Sequence, residues 1–307
     1  MPSTTDFKLT KRPHQKTKYT EEQLKHLIKC AESPSYFAEN FFYIQSIKSG
    51  RQLLSLYPFQ RQFIDILYKH RYVIALMGRQ QGKTTCSAAY MLWRAMFFPD
   101  QTILVVAHNL NQALEITSRI RFAYEELPDY IRAGVTEYNK GSIVFDNGSR
   151  IISRAASPHA ARGLAISLLY MDELSFVRKR MQEEFWAAIS PTLATGGDCI
   201  ITSTPGSDED LFATLWRQAE DIIDVNGNTN PGGLGKNGFK AFKSLWSDHP
   251  ERDQAWADNE RAKIGDAKFE REFNCLIHKT MLRVRDKFTG QVKDISIEEL
   301  FRELNNG

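Results

Sequence analysis

Tyr72-Val73-Ile74-Ala75-Leu76-Met77-Gly78-Arg79-Gln80-Gln81-Gly82-Lys83-Thr84-Thr85 is the stretch whose reading decides the fold. An apolar, β-rich run ends in a glycine-bearing loop, and Cys86 to Met96 continue it with a helical pattern. A strand, a glycine loop and a helix opened by Gly-Lys-Thr have the layout of a nucleotide phosphate cradle. Backbone N–H groups at the helix N-terminus point at the phosphates, and the helix dipole favours their negative charge. Gly78, Arg79, Gln80, Gln81, Gly82, Lys83, Thr84 and Thr85 are therefore the candidate nucleotide-binding residues. Lys83 would reach the β- and γ-phosphates of ATP and the Thr84 hydroxyl would sit on Mg²⁺. One position departs from the G-x-x-x-x-G-K-[ST] pattern, because Met77 stands where its first glycine belongs.

Outward from the loop, strands and helices alternate. Apolar runs at Tyr72–Met77, Thr102–Ala107, Ser142–Phe145, Arg150–Ser153, Ser167–Met171 and Asp198–Thr202 read as strands. Helical patterns lie at 58–69, 84–97, 109–126, 181–188 and 209–223, and a strand over Phe239–Trp246 and a helix over Gln254–Ile264 close the domain. Such alternation predicts an α/β fold of RecA-like, P-loop ATPase type, its mainly parallel sheet flanked by helices. Ligands of these folds gather at the carboxyl ends of the strands. Upstream, Thr20 with Gln23 predicts a capped helix, and Tyr36, Phe37, Phe41, Phe42 and Ile44 read as a second, aromatic helical segment. Residues 1–18 are basic and read as a flexible tail, and 226–238 as a glycine- and asparagine-rich surface loop.

The loop has partners downstream. Leu168-Leu169-Tyr170-Met171-Asp172-Glu173 is an apolar strand ending in two acids. Asp172 would hold Mg²⁺ opposite Thr84, and Glu173 would orient and polarise the attacking water. Thr202, Ser203 and Thr204, stopped by Pro205, place hydroxyls at a strand end where they can sense hydrolysis and couple it to movement. Tyr57 and Gln60, just before and within a helix, offer an aromatic ring and an amide for the adenine edge. Arg162, in Ala161-Arg162-Gly163, is a candidate arginine finger.

Composition agrees with a globular domain without deciding its function. The chain has 307 residues, 42% of them hydrophobic and 25% charged, with a net charge of +3 that is too small to argue for nucleic acid. Cys30, Cys86, Cys199 and Cys275 are far apart, against a disulfide framework or a structural zinc site and in keeping with a reducing compartment. No stretch has the length of a membrane span, so no membrane partner is expected.

In combination and order, these motifs closely resemble the large terminase subunit of tailed bacteriophages, of myovirus type, over about Tyr19 to Asn274. The resemblance rests on Ser33 to Phe37 with Tyr57 to Gln60, the Gly78–Thr85 loop, Asn139 to Ile143 with Asp146 to Ser149, Ala156 to Pro158 with Arg162-Gly163, Asp172-Glu173 and Thr202 to Pro205. That family's cradle also lacks the first glycine, which accounts for Met77. The resemblance implies a catalytic and sensing role for Arg79 and an Arg162 that reaches a neighbouring subunit's ATP. It also implies a homo-oligomeric ring on the portal protein, served by the small terminase subunit, moving double-stranded DNA at the procapsid portal in the host cytoplasm. The alternatives are a superfamily-2 helicase-like ATPase, which would need a second RecA-like domain, and a nucleotide-binding scaffold whose hydrolysis is incidental.

Large terminases continue into a nuclease domain, for which residues 275–307 leave no room. Instead Cys275-Leu276-Ile277-His278-Lys279-Thr280 leads to two short strands, Met281 to Asp286 and Gln291 to Ile295, about a Lys287–Gly290 turn. Ser296 and Glu299 then predict a capping box for a helix bearing Ile297, Leu300, Phe301 and Leu304. This small β-hairpin–helix segment resembles the N-terminal part of a split intein, whose leading thiol, here Cys275, attacks the preceding carbonyl. The expectation is an ATPase domain over 19–274 and an intein fragment over 275–307, spliced to a second chain that carries the intein C-terminal part and the nuclease. An ordinary interdomain linker with Cys275 as a buried thiol is the alternative.

Overall fold

Strands apolar on both faces need cover on both faces, and the computed structural model supplies it. It describes residues 9–47, 49–207, 209–224, 227–275, 281–285, 289–296, 299–300 and 303. The chain opens with α1 (Glu21–Glu32) and α2 (Pro34–Phe41), followed by β1 (Tyr43–Ser46), β2 (Gly50–Leu53), α3 (Pro58–Lys69) and β3 (Tyr72–Met77). Next come α4 (Lys83–Phe97), β4 (Thr102–Ala107), α5 (Leu110–Glu126), β5 (Val135–Tyr138), β6 (Ser142–Phe145) and β7 (Arg150–Ala155). Then follow β8 (Leu168–Asp172), α6 (Lys179–Ala194), β9 (Asp198–Ser203), α7 (Leu211–Glu220), β10 (Lys240–Ser244), α8 (Gln254–Ile264), α9 (Asp266–Glu272), β11 (Met281–Arg285) and β12 (Val292–Ser296).

The main sheet has eight strands in the order β10-β3-β9-β8-β4-β7-β6-β5. It is parallel from β10 to β7, with β6 and β5 added antiparallel at one edge. Side-chain alternation splits the core in two. Val73, Ala75 and Met77 of β3 pack with Phe37, Phe63, Trp93 and Tyr124 of the α2–α5 face. Ile74 and Leu76 pack with Phe185, Ile189, Phe212 and Trp216 of the α6–α7 face. A third, small cluster joins α8 and α9 through Ala257, Phe269 and Phe273. Among the described residues no helix is long and apolar enough to cross a membrane.

The structure corrects the sequence reading in several places. Ile44 lies in β1, because α2 stops at Phe41 and the chain turns into an exposed two-stranded hairpin with β2. The polar β2 shows no alternation, since it has no buried face to mark it. The basic N-terminal stretch is in part docked: Lys11 is buried, its Nζ donates to the Asp129 carbonyl at 2.9 Å, and its own carbonyl accepts from Val135 N–H. Helix α6 is longer than its sequence pattern, running through Pro191, and α9 had no sequence signal of its own. The predicted caps do form. Thr20 and Gln23 exchange backbone bonds at the start of α1, and Ser296 and Glu299 do the same after β12. The β11–β12 hairpin pairs antiparallel with Arg283 opposite Asp294. Ile297, Phe301, Leu304 and Thr280 lie outside the described residues.

Candidate nucleotide site

The strand order sets the geometry of the site. β9 lies between β3 and β8, so the loop after β3 and the acids after β8 flank Thr202–Thr204 at the carboxyl edge of the sheet. Gly82 caps α4 with φ 81°, a left-handed conformation that favours glycine, and Lys83 is the first helical residue. The free N–H groups of the α4 N-terminus thus face a cleft of about 610 Å³. Arg79, Gln80, Gly82, Lys83, Thr84 and Thr85 line it on the loop side and Glu173 and Phe176 on the β8 side.

Lys83 Nζ lies 2.5 Å from Glu173 Oε1. The other carboxylate oxygen, Oε2, accepts from Thr204 N–H at 3.2 Å and faces the Ser203 and Thr204 hydroxyls at 3.4 Å. Glu173 has φ 53°, an uncommon value for a residue with a side chain, which turns it sharply out of β8. Asp172, directly before it, is buried. It accepts from the Thr202 hydroxyl at 2.7 Å, the Tyr170 hydroxyl at 2.9 Å and the Thr84 hydroxyl at 3.2 Å. Parallel pairing of β8 with β9 puts Asp172 opposite Thr202, which is why the hydroxyl segment touches both acids.

Burial, reinforced by the Glu173 charge, holds the Asp172 carboxyl above its ordinary value near 3.8. A raised pKa means that the folded protein binds this proton more tightly than the unfolded chain does. The stabilisation from protonation is complete below the ordinary value and disappears as pH rises through the raised one. At neutral pH without a divalent cation, Asp172→Asn should therefore unfold a few degrees above the parent. Thermal melts in the metal-free state check this; a lower melting temperature of the variant would contradict it.

The front of the loop is tied to the end of the domain. Gly78 N–H donates to Ser244 O at 3.0 Å and Arg79 N–H to Glu272 O at 2.8 Å. A Cβ at position 78 would come within 2.8 Å of the Phe273 carbonyl oxygen, so this close approach requires glycine. The Arg79 guanidinium pairs with the buried Glu272, and Arg252 donates to the Arg79 and Gln80 carbonyls at 3.2 and 3.3 Å. Gln81 Nε2 donates to Leu245 O at 2.5 Å.

Other expected site residues stand outside the cleft. Gln60 is buried, donates from Nε2 to Gln81 O at 3.0 Å and accepts Tyr57 N–H at 3.1 Å, so its amide holds the loop and is not presented to a base. The Tyr57 hydroxyl donates to Glu251 at 2.7 Å and its ring lies 4.5 Å from that of His249. Arg162 is exposed on the turn after β7, away from the cleft lining. Cys275 is buried with the α6–α7 face of the core, at φ 55°, and burial pushes its thiol up to about 12. Conversely, His108, Gln112 and Arg119 line the cleft although the sequence reading passed over them. His108 follows β4 at the carboxyl edge, a position that alone could have drawn attention.

A family model for the terminase large subunit, T4-like virus type, N-terminal part, matches residues 74–280. The chain belongs to the large terminase family. Solved terminases share its fold. The large terminase ATPase domain of Thermus phage P74-26 aligns with a TM-score of 0.55 at 20% identity, over 72% of this chain and 99% of that one. The large terminase of bacteriophage HK97 aligns with a TM-score of 0.60 at 20% identity, over 82% of this chain and 56% of that one. The large terminase of the thermophilic bacteriophage D6E in complex with ADP gives 0.55 at 11% identity, over 74% and 55%. This terminase chain thus spans little more than half the length of the HK97 and D6E proteins it matches.

Proposed function

We propose that this chain is the ATP-hydrolysing motor part of a large terminase, driving double-stranded DNA into a viral capsid. The observation that carries the proposal is the convergence of Lys83, Thr84, Asp172, Glu173 and Thr202–Thr204 at the carboxyl ends of three neighbouring strands. The α4 N-terminus and Lys83 bind the phosphates, which draws Lys83 away from Glu173 and frees that carboxylate to orient a water and accept its proton. Thr84 and Asp172 fit Mg²⁺, which takes oxygen donors and needs only one or two from the protein when phosphates supply others. Bound there, the ion would neutralise charge on the β- and γ-phosphates. Thr202, Ser203 and Thr204 touch both acids and so register the loss of the γ-phosphate as a change in hydrogen bonding. Arg79 leaves Glu272 for the nucleotide, and the exposed Arg162 serves a neighbouring subunit's site in a ring on the portal, with the small subunit, at the procapsid in the host cytoplasm. Turnover of ATP by the purified protein, measured beside Lys83→Ala and Glu173→Gln, tests the reading; hydrolysis undiminished in both variants would sink it.

The same proposal assigns 19–274 to the motor and 275–307 to a split-intein N-terminal fragment. The β11–β12 hairpin and the reciprocal Ser296–Glu299 cap support it. Cys275 Sγ would attack the Asn274 carbonyl, forming the thioester as the C–N bond breaks and the Cys275 nitrogen leaves as an amine. The buried, neutral thiol must first be drawn from the core, a task for the complementary fragment, which also brings the nuclease domain. With that fragment present, thiol-induced cleavage after Asn274 and ligation should both vanish in Cys275→Ala; ligation by the variant at the parent's rate would end the splicing idea.

A further inference from the structure

The cleft is lined by an arginine that the phosphate-loop and acid motifs do not contain. We propose that Arg119 of α5 binds the α- and β-phosphates of the nucleotide from the side opposite the loop, an inference that rests on the nucleotide reading above.

Three observations point there. First, α5 forms the far wall: Gln112 and Arg119 both line the cleft, and residues seven apart share one face of a helix, about 10.5 Å apart along its axis. Second, position along that wall selects the inner phosphates. Arg119, Gln80 and Thr85 also line the adjoining groove between α5 and β1, so they mark the end of the cleft that opens into that groove, whereas Glu173 and Gln112 belong to the cleft alone. Lys83 and Thr84 serve the β/γ end and the metal, which leaves the Thr85 end to the inner phosphates. Third, charge is available. Of the cleft's cations, Lys83 is closely paired with Glu173 and Arg79 with Glu272, while among the described residues Arg119 pairs with Glu115 alone, at 3.7 Å on its own exposed helix face. A triphosphate is a stronger partner for a guanidinium than an exposed carboxylate one helical turn away.

The test is calorimetric binding of ADP and of a non-hydrolysable ATP analogue to the full chain, with steady-state ATP turnover. Arg119→Gln should weaken both ligands alike, by about five- to tenfold for a half-exposed charged contact, and raise KM by the same factor. Its kcat should stay within about twofold of the parent, the pattern of a contact made equally in ground and transition states. Arg119→Lys should recover part of the loss, and Glu115→Gln should lose nothing. Unchanged affinities in Arg119→Gln overturn the inference. So does a fall in kcat with ADP binding intact, which would put the side chain at the γ-phosphate, and so does an equal loss in Glu115→Gln, which would make the helix pair merely structural. If the parent itself binds no nucleotide, or Lys83→Ala binds as the parent does, it is the nucleotide reading that fails.

Discussion

Glu173→Gln is expected to bind ATP and keep it. The amide preserves shape and hydrogen-bonding capacity toward Thr204 N–H and the Ser203 and Thr204 hydroxyls. It cannot accept a proton from the attacking water, and general-base catalysis of this kind is worth about 10²–10⁴ in rate. Turnover should fall by that order while the affinity for ATP holds or tightens, because Lys83 no longer has a carboxylate 2.5 Å away to leave when the phosphates arrive. Single-turnover kinetics with bound-nucleotide quantification separates the two effects. Loss of binding together with rate would mean that Glu173 organises the cleft and does not act on water.

Lys83→Ala should behave in the opposite way at the binding step. The ammonium is buried at the start of α4, and neither Arg79, which is held by Glu272, nor the half-exposed Arg119 on α5 occupies its place there. Removing a preorganised charge from a phosphate site costs about 10²–10³ in rate. A lost charge-assisted contact also weakens nucleotide binding, by about tenfold or more. The variant additionally leaves the buried Asp172 carboxyl, already above its ordinary value, without the Lys83 charge that favours its ionised form, so the nucleotide-free protein should lose stability at neutral pH and regain part of it as Asp172 protonates. Affinity by calorimetry and urea unfolding at two pH values check both halves. A scaffold that bound nucleotide without using it would show the affinity loss and, having no turnover, no change in rate.

Much of this was legible from residue types in order. The β3 run, Gly82-Lys83-Thr84 and the Asp172-Glu173 strand end each carry a local chemical requirement, and the short continuous apolar runs of β3 and β8 made these fully buried strands recognisable. Caps at Thr20 and Ser296 are likewise local, since partner and orphan N–H lie within one turn. What the sequence hid were features whose partners are distant. β2 has no buried face, Lys11 is an ordinary lysine until Asp129 is folded against it, and the end of α9 finds its partners in the distant N–H groups of Arg79 and Trp246. Gln60 illustrates the same point. Its amide chemistry is plain in the sequence, but the choice between a base edge and the Gln81 carbonyl is made by the packing of α3 beneath the loop.

By itself the sequence determined the strand–loop–helix cradle, the two acids and the alternation that makes a parallel sheet, because each is written in contiguous residues. Only the tertiary structure decided that β9 threads between β3 and β8, so that Thr202 bonds Asp172 while Thr204 bonds Glu173. It alone tied Gly78 and Arg79 to the chain near residue 273, buried Cys275 against the core and brought Arg119 to the cleft. The physical reason is common to all of these: strand order and helix rotation follow from how two apolar faces are covered at once, and that is a property of the packed whole rather than of any stretch within it.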